Sequence, residues 1–246
     1  MSRWRAAAIH LCISVAVATF LIVAMLLLWY PPPYFLLMGG TMLVVLIAGC
    51  DVVLGPLLTL IVFKTGKKSL PFDLATIAFL QAVALTYGLY TMYAARPVYT
   101  VFAADRFEVT AANEIPVGEL SRASPEFSSL PLAGPRLVGA LLPANSDERL
   151  AIAMRSMVGG PDIKAMPRLY VPYQWVKPIV ISRLRSLDDL EKKNPATRAT
   201  LLAKLHDAAL VDRAGYLPLV GRFRSMVAVV DRQSGDIDTI VDLDPW

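Results

Sequence analysis

Three long apolar runs make up most of the first hundred residues, and short connectors separate them. The runs cover residues 6–29, 35–63 and 74–93. Each reaches the roughly 20 residues that an α-helix needs to cross about 30 Å of hydrocarbon. The pattern therefore predicts a multi-pass membrane protein whose residues 1–95 form an N-terminal bundle of three transmembrane α-helices.

The charges beside these runs predict the orientation of the bundle. Lys and Arg near span ends are retained on the cytoplasmic side of a membrane. Here they precede the first run and follow the second, as Arg3, Arg5, Lys64, Lys67 and Lys68. We therefore expect a cytoplasmic N-terminus and an outer location for residues 96–246. A cleaved signal peptide is disfavoured, because its apolar region would cover only about 7–15 residues.

Residues 96–246 carry strand patterns that predict an antiparallel sheet. Two β-branched and aromatic segments, 97–102 and 107–111, are separated by a short turn and predict a hairpin. A single short strand is predicted over 136–142 in a stretch rich in proline. Near the C-terminus, 226–230 is apolar on both faces, as in a central strand, and 237–243 alternates apolar residues with aspartates. The connector 231–235 between them is predicted to be a hairpin loop.

Three amphipathic helices are predicted among these strands. Asn145 and Ser146 are typical helix N-caps, and apolar residues follow at helical spacing as Leu150, Met154, Met157 and Val158. Ser186 and Asp189 form a capping-box pattern before a second helix. Asn194 and Pro195 predict the start of a third, with a buried stripe of Leu201, Leu202, Leu205 and Ala209. The segment as a whole predicts an extracytoplasmic, periplasmic α+β domain.

Composition removes several functional classes. The net charge of +4 arises mainly beside the spans, and residues 96–246 hold 19 basic and 18 acidic side chains. Without a basic stripe, nucleic-acid binding is not expected. His10 and His206 are the only histidines, which argues against a histidine metal site or a Ser-His-Asp triad. We therefore expect no enzyme activity and no cofactor.

The last predicted strand carries a row of four carboxylates: Asp236, Asp238, Asp242 and Asp244. Oxygen ligands of this kind suit Ca²⁺, but the ion usually needs a loop that wraps around it, and a flat strand does not wrap. We expect this face to lie in water rather than to bind metal.

Asp51 is the unusual residue of the membrane region. An ionisable side chain at that depth costs at least about 2.5 kcal/mol and indicates a functional site with a partner. Counted from the span ends, Thr86 and Tyr87 lie at matching depth. Asp51 is therefore either protonated or hydrogen-bonded to Thr86 or Tyr87 within the bundle, or it receives a polar group from another helix. Gly55 and Pro56, one turn on, permit a kink or a close approach by a neighbour. The candidate partner-binding residues are Asp51, Gly55, Pro56, Gln81, Thr86 and Tyr87.

Several of these segments carry a family resemblance. The stretch from Asp51 through GPLLTLIVFK, the run DLATIAFLQAVALTYGLY, the segment ARPVYTVFAADRFEV and the ending YLPLVGRFRSMVAVVDRQSGDIDTIVDLDPW resemble the type IV pilin accessory proteins of the TfpX/TfpZ kind. The resemblance covers nearly the whole chain. It implies a bacterial inner-membrane protein that assists the stability, assembly or surface display of a cognate type IV pilin, with the pilus assembly machinery as a further partner. It implies no catalytic residue.

Two other functions stay open at this point. A membrane-anchored sensor or envelope-binding module, unrelated to pili, would bind its partners through the outer domain alone. An intramembrane aspartyl enzyme would need two carboxylates that share a proton. The sequence offers no second carboxylate at the depth of Asp51, which makes the enzyme the weaker alternative.

Overall fold

The computed structural model of the protein describes residues 2–193, 197–205 and 212–246. Within these ranges it has three helices that are long and apolar enough to cross a membrane, over Arg3–Leu28, Gly40–Val62 and Leu70–Ala94. The prediction of three such helices is confirmed, but their bounds differ from those of the apolar runs. Between the first two, a single turn (α2, Tyr34–Leu37) follows α1 (Arg3–Leu28) and ends before Gly39, whose φ of 75° interrupts the helix.

The second long helix changes its geometry midway. An α-helical part, α3 (Gly40–Ala48), passes into a π-helical segment (Gly49–Leu54) and then into α4 (Gly55–Val62). Pro56 has no N–H, and in a regular α-helix its ring would clash with the carbonyl of the residue one turn earlier. A wider π turn relieves that conflict. The break expected near Gly55 and Pro56 therefore takes the form of a π-helical segment, and Asp51 lies within it.

The third long helix, α5 (Leu70–Ala94), begins four residues before the apolar run that predicted it. Proline lies in its first turn. A backbone N–H at that position would have no acceptor within the helix, so proline loses no helical hydrogen bond there. Asp73 accepts a hydrogen bond from Ser69 Oγ at 3.1 Å and lies 2.7 Å from Lys67 Nζ. These polar contacts stabilise the first turn of α5, which hydropathy alone does not predict.

The described residues after α5 fold around a seven-stranded sheet with strand order β4-β3-β1-β2-β5-β6-β7. The strands are β1 (Pro97–Ala103), β2 (Arg106–Ala111), β3 (Arg136–Ala140), β4 (Tyr170–Pro172), β5 (Ala214–Val220), β6 (Ser225–Asp231) and β7 (Ile237–Val241). The two predicted hairpins are confirmed as the antiparallel pairs β1–β2 and β6–β7. The central position of β6 is confirmed as well, because it pairs with β5 on one side and β7 on the other.

The predicted antiparallel sheet is wrong, because the sheet is mixed. β1 pairs with β3 in parallel, from Tyr99 opposite Arg136 to Phe102 opposite Gly139, and β2 pairs with β5 in parallel. After the β1–β2 hairpin the chain has returned to the end of the sheet that adjoins α5. β3 starts at that end beside β1 and must therefore run in the same direction.

The helices of the sheet domain confirm part of the sequence prediction. They are α6 (Val117–Leu120), α7 (Ser146–Met157), α8 (Tyr173–Arg183), α9 (Leu187–Lys193) and α10 (Thr197–Lys204). Asn145 caps α7 by accepting a hydrogen bond from the Asp147 N–H at 2.8 Å. Before α9, Ser186 Oγ accepts from the N–H of Asp188 rather than of Asp189. Asn194, Pro195 and Ala209 lie outside the described residues. Of the predicted buried stripe, Leu201 is fully buried as expected, but the prediction for Leu202 is wrong, because it is 44% exposed.

The apolar stripe of α7 does not form its buried face. Leu150 and Met154 are each 60% exposed, and Met157 and Val158 are exposed as well. The residue that α7 buries is Ile152, which packs against Phe127, Met166 and other members of the cluster on one face of the sheet. The correct spacing thus predicted the helix but not the face that packs.

The sheet domain and the long helices share one hydrophobic core. A single cluster contains Met25 and Met92 from the helices together with Phe102, Phe107 and Leu217 from the strands. Tyr30, directly after α1, donates from Oη to the Met92 carbonyl of α5 at 2.9 Å and joins the ends of the first and third long helices. A hydrogen bond also crosses the junction itself, since Thr100 Oγ1 of β1 lies 3.0 Å from Tyr34 Oη of α2. The predicted boundary at residue 95 falls between α5 and β1, yet apolar packing continues across it.

Candidate functional site: a groove between the second and third long helices

Asp51 lies in the π-helical segment and is 9% exposed. Its partner is Gln81 on α5, whose Nε2 donates to Asp51 Oδ1 at 2.9 Å and to the Asp51 carbonyl at 3.2 Å. A π turn leaves a backbone carbonyl less firmly held by its own helix, so it can accept a bond from a neighbour. One amide side chain therefore bonds both to one carboxylate oxygen of Asp51 and to its backbone carbonyl.

The expected partners of Asp51, Thr86 and Tyr87, are wrong. Thr86 Oγ1 donates to the Ala82 carbonyl of its own helix at 2.7 Å, and Tyr87 is 72% exposed. The error follows from the start of α5. With the helix beginning at Leu70 rather than at residue 74, the side chain at the depth of Asp51 is Gln81, eleven residues from the helix start, as Asp51 is eleven from Val62. Of the candidate residues, the structure thus joins Asp51 to Gln81 and places Thr86 elsewhere.

Gly55 creates the space in which this contact forms. A Cβ added to Gly55 would lie 2.0 Å from Gln81 Nε2 and 2.7 Å from Gln81 Cδ. The amide of Gln81 therefore lies directly against the backbone of the second long helix, where a side chain would displace it. Gly55 and Pro56 are both buried. Small residues of this kind let helices approach closely in membranes.

A groove of about 400 Å³ opens beside this contact, between the second and third long helices. Its walls are largely apolar, and the polar side chains of Asp51 and Gln81 lie within them. Tyr87 also lines the groove, so it shares a surface with Asp51 although it does not bond to it. The remaining lining residues include Leu43, Leu54, Leu58, Ile77, Leu80 and Leu85. An apolar groove with one polar pair can accept an apolar segment that carries a hydrogen-bonding group.

A second polar contact joins the first two long helices. His10 Nδ1 lies 2.6 Å from Thr59 Oγ1, and Thr59 and Ser14 are each 3% exposed. Thr59 lies two turns beyond Asp51 and contacts the first long helix, whereas the groove lies between the second and third. The histidine that sequence analysis considered as a metal ligand thus bonds to a hydroxyl in the helix bundle.

The aspartates near β7 are separated rather than gathered. Asp236 Oδ1 lies 2.6 Å from Lys177 Nζ of α8, and Asp242 Oδ2 lies 3.2 Å from Arg224 Nη1. Among the described residues, no group of three or more His, Cys, Asp or Glu side chains is placed to hold a metal ion. Both paired aspartates are more than half exposed, in agreement with a carboxylate face in water.

These features define a class of protein: three helices able to span a membrane, followed by a mixed α/β domain whose core continues into them. Comparison with known proteins identifies the family. The family model of FimB, the fimbrial assembly protein, matches residues 1–39. The serogroup I fimbrial assembly protein of Dichelobacter nodosus is 35% identical over 213 residues, covering 82% of this chain and 79% of that protein.

Two further relatives agree. The serogroup E1 fimbrial assembly protein of the same organism is 33% identical over 207 residues, again covering 82% of this chain and 79% of that protein. The protein of serogroups C1 and C2 is 41% identical over 80 residues, covering 32% of this chain and 61% of that protein. The chain therefore belongs to the family of fimbrial assembly proteins. No solved structure gives a significant match.

Proposed function

We propose that this protein is an inner-membrane accessory protein that assists a cognate type IV pilin in its stability, assembly or surface display. Its membership of the fimbrial assembly family supports a role in fimbrial biogenesis. In the proposal the protein acts by binding, with no catalytic step, cofactor or metal. It contacts the apolar helix of the pilin within the membrane and the head of the pilin through the periplasmic sheet domain.

The proposed orientation rests on the charges at one end of the bundle. Arg3 and Arg5 begin α1, and Lys64, Lys67 and Lys68 lie between α4 and α5. These five basic residues therefore share one end, opposite the sheet domain. Basic flanks are retained in the cytoplasm, so the sheet domain is assigned to the periplasm.

The groove beside Asp51 is the observation that supports the proposed contact with the pilin helix. Side chains around it are apolar and face outward from the bundle, as the high exposure of Leu54, Leu58 and Leu80 shows. Asp51 Oδ1 bonds to Gln81, whereas Asp51 Oδ2 accepts no hydrogen bond from the described residues. A carboxylate oxygen in an apolar groove favours a helix that brings a donor to it, because a donor offsets the cost of burying the carboxylate. We therefore assign the groove to the pilin helix.

Substitution at Asp51 tests this assignment. Asp51→Asn keeps the shape and one acceptor, and we expect near-normal surface piliation. Asp51→Leu removes both acceptors, and we expect loss of piliation and of pilin co-purification at unchanged abundance of the protein in the membrane. Thr86→Val is the matched control, because Thr86 bonds only to its own helix and does not line the groove. A stable Asp51→Leu protein that supports full piliation would reject the groove as the pilin site.

Deletion of the gene tests the function itself. We expect lower surface piliation with unchanged transcription of the pilin gene, and co-purification of the pilin with the detergent-solubilised protein. Normal piliation in the deletion strain would instead favour a membrane-anchored sensor or envelope-binding module. The two experiments separate a wrong site from a wrong function.

A further inference from the structure

The hairpin that joins β5 to β6 lies against the start of the second long helix. The Phe223 N–H donates to the Leu37 carbonyl at 3.0 Å. A Cβ on Gly39 would lie 2.5 Å from the Phe223 ring, and a Cβ on Gly221 would lie 2.5 Å from the Leu37 carbonyl oxygen. Two glycines thus let the hairpin approach the backbone closely. The tip of the hairpin is held at the level where the second long helix begins.

A second loop is held at the same level. The Gly134 N–H donates to the carbonyl of Leu28, the last residue of α1, at 2.8 Å. Arg96, just after α5, donates from Nη2 to the Pro131 carbonyl at 3.1 Å. The loop from Pro131 to Gly134 therefore spans the ends of the first and third long helices, as the hairpin tip adjoins the second.

Both loops present large apolar side chains that are mostly exposed. Leu132 is 73% exposed and Phe223 is 65% exposed. Phe223 is flanked by Arg222 and Arg224, which are also exposed. A single exposed apolar residue is ordinary on a soluble surface. Here the two lie at the ends of helices that are themselves apolar on the outside, so they continue that apolar surface rather than interrupt a polar one.

We propose that these loops form a lipid-docking surface, defined by Leu132, Arg222, Phe223 and Arg224, that seats the sheet domain on the outer leaflet of the inner membrane. This inference rests on the membrane insertion included in the proposed function. Phe223 and Leu132 enter the boundary between headgroups and acyl chains, where interfacial apolar side chains lie about 5–10 Å deep. Arg222 and Arg224 donate to the phosphates of phospholipid headgroups, which the guanidinium matches in geometry.

The occupant is phospholipid because the surface is continuous with the bundle. The loops bond to Leu28, Leu37 and Arg96, which all lie where the long helices end or begin. They therefore lie at the level where the apolar outer surface of the bundle ends, which is the level of the lipid headgroups. Arg224 also lies 3.2 Å from Asp242, so one charge of the pair of arginines is partly balanced and Arg222 remains the main cation. The lipid contact adds to the packed junction that already holds the sheet domain at a set position above the Asp51 groove.

Spin labels report this placement directly. The full chain, with Cys12→Ala and Cys50→Ala, is labelled at Phe223→Cys or Leu132→Cys and reconstituted without pilin into vesicles of phosphatidylethanolamine and phosphatidylglycerol. The collision rate of each label with oxygen, which concentrates in lipid, is compared with that of a water-soluble nickel chelate. Ile61→Cys is the control for a lipid-facing site within a long helix, and Leu142→Cys is the control for an exposed apolar site at the far end of the sheet.

We expect labels at residues 223 and 132 to show a ratio of oxygen to nickel collisions several-fold above that at residue 142 and similar to that at residue 61, which lies one residue before the end of α4 and so near the opposite membrane interface. A second variant, Arg222→Glu, should lower the ratio at residue 223, because it replaces attraction to phosphate with repulsion. Nickel access at residues 223 and 132 equal to that at residue 142, with residue 61 protected, would overturn the docking surface and leave the proposed function intact. Free nickel access at residue 61 would overturn membrane insertion and the docking surface together.

Discussion

Gly55→Ala isolates the contact on which the Asp51 groove depends. The backbone at Gly55 is α-helical, with φ −60° and ψ −57°, so alanine fits it without strain. The added methyl group would lie 2.0 Å from Gln81 Nε2. Because these atoms end a flexible side chain, Gln81 can rotate away rather than force the helices apart. The loss is then that of the two hydrogen bonds from Gln81 Nε2 to Asp51.

The expected size of the effect follows from two opposing contributions. Interhelical hydrogen bonds in membranes average about 0.6 kcal/mol and reach about 1.7 kcal/mol, so losing two costs roughly 1–3 kcal/mol. Replacing glycine with alanine in a helix gains about 0.5–1 kcal/mol. We therefore expect Gly55→Ala to lower the free energy of unfolding by about 0.5–2 kcal/mol, on the same arithmetic. Gly49→Ala is the matched control, since nothing lies within 4 Å of its added Cβ, and it should stabilise the protein slightly.

Unfolding of the purified protein in mixed detergent micelles, monitored by circular dichroism, gives the four free energies of a double-mutant cycle. The cycle combines Gly55→Ala with Gln81→Ala. Once the amide of Gln81 is absent, the Gly55 substitution retains only its backbone gain, so its sign should reverse. Equal effects of Gly55→Ala and Gly49→Ala, or the same effect of Gly55→Ala with and without Gln81, would refute the reasoning.

Three further predictions follow from other parts of the chain. A phosphatase reporter fused after Trp246 should be active and one fused at Gly66 silent, and activity at Gly66 would overturn the orientation. Burial raises the pKa of Glu108, so its ionised form is disfavoured in the folded state and stability falls as pH rises from its unfolded pKa through the folded one. Glu108→Gln should therefore raise the melting temperature at pH 7 but not at pH 3.5, and equal effects at both would contradict the burial argument. Tyr34→Phe removes the bond to Thr100 and should lower the free energy of unfolding by about 1 kcal/mol, whereas Tyr87→Phe, at an exposed site, should not.

Sequence patterns predicted the local hairpins of the sheet but not the connections between them. A hairpin depends on two neighbouring segments, and the β1–β2 and β6–β7 pairs were visible as such. The parallel pairings depend on where long connections return the chain, which no local pattern records. The sequence pattern does not predict β5. Pro218 lies inside this strand, and proline argues against a central strand. In the fold, β5 pairs with β2 only through Leu219 and Val220, beside that proline.

The sequence pattern does not predict helix α8 either, and the reason is again an internal proline. Pro178 lies in its interior, where the sequence rule ends or kinks a helix. Tertiary packing compensates for the lost hydrogen bond, because Val176 and Val180 are fully buried. Gly139 on β3 allows the approach, since a Cβ there would lie 2.4 Å from Val176 Cγ1. No pattern within α8 itself reports that a glycine on another element makes room for it.

The sequence indicated the unusual residues around Asp51 but did not predict which side chain bonds to it. Asp51 stands out in sequence because a carboxylate in an apolar run is costly, and Gly55 and Pro56 mark an irregular helix. Pairing Asp51 with Gln81 required the start of α5, which polar residues at its first turn define and hydropathy does not. An error of about one helical turn in the start of α5 therefore led to the wrong hydrogen-bond partner for Asp51.

The hydrophobic core is continuous between the long helices and the sheet domain, and this fixes the position of the sheet domain relative to the Asp51 groove. Phe102 and Phe107 of the sheet pack in the same cluster as Met25 and Met92 of the long helices, and Thr100 of β1 bonds to Tyr34 of α2. A domain tethered by a flexible linker would present its surface at no fixed distance from the membrane. Here the packed junction holds the sheet at a set position relative to the Asp51 groove. Such a scaffold suits a partner that has one helix in the membrane and one head outside it, because both contacts can then form without further ordering of the protein.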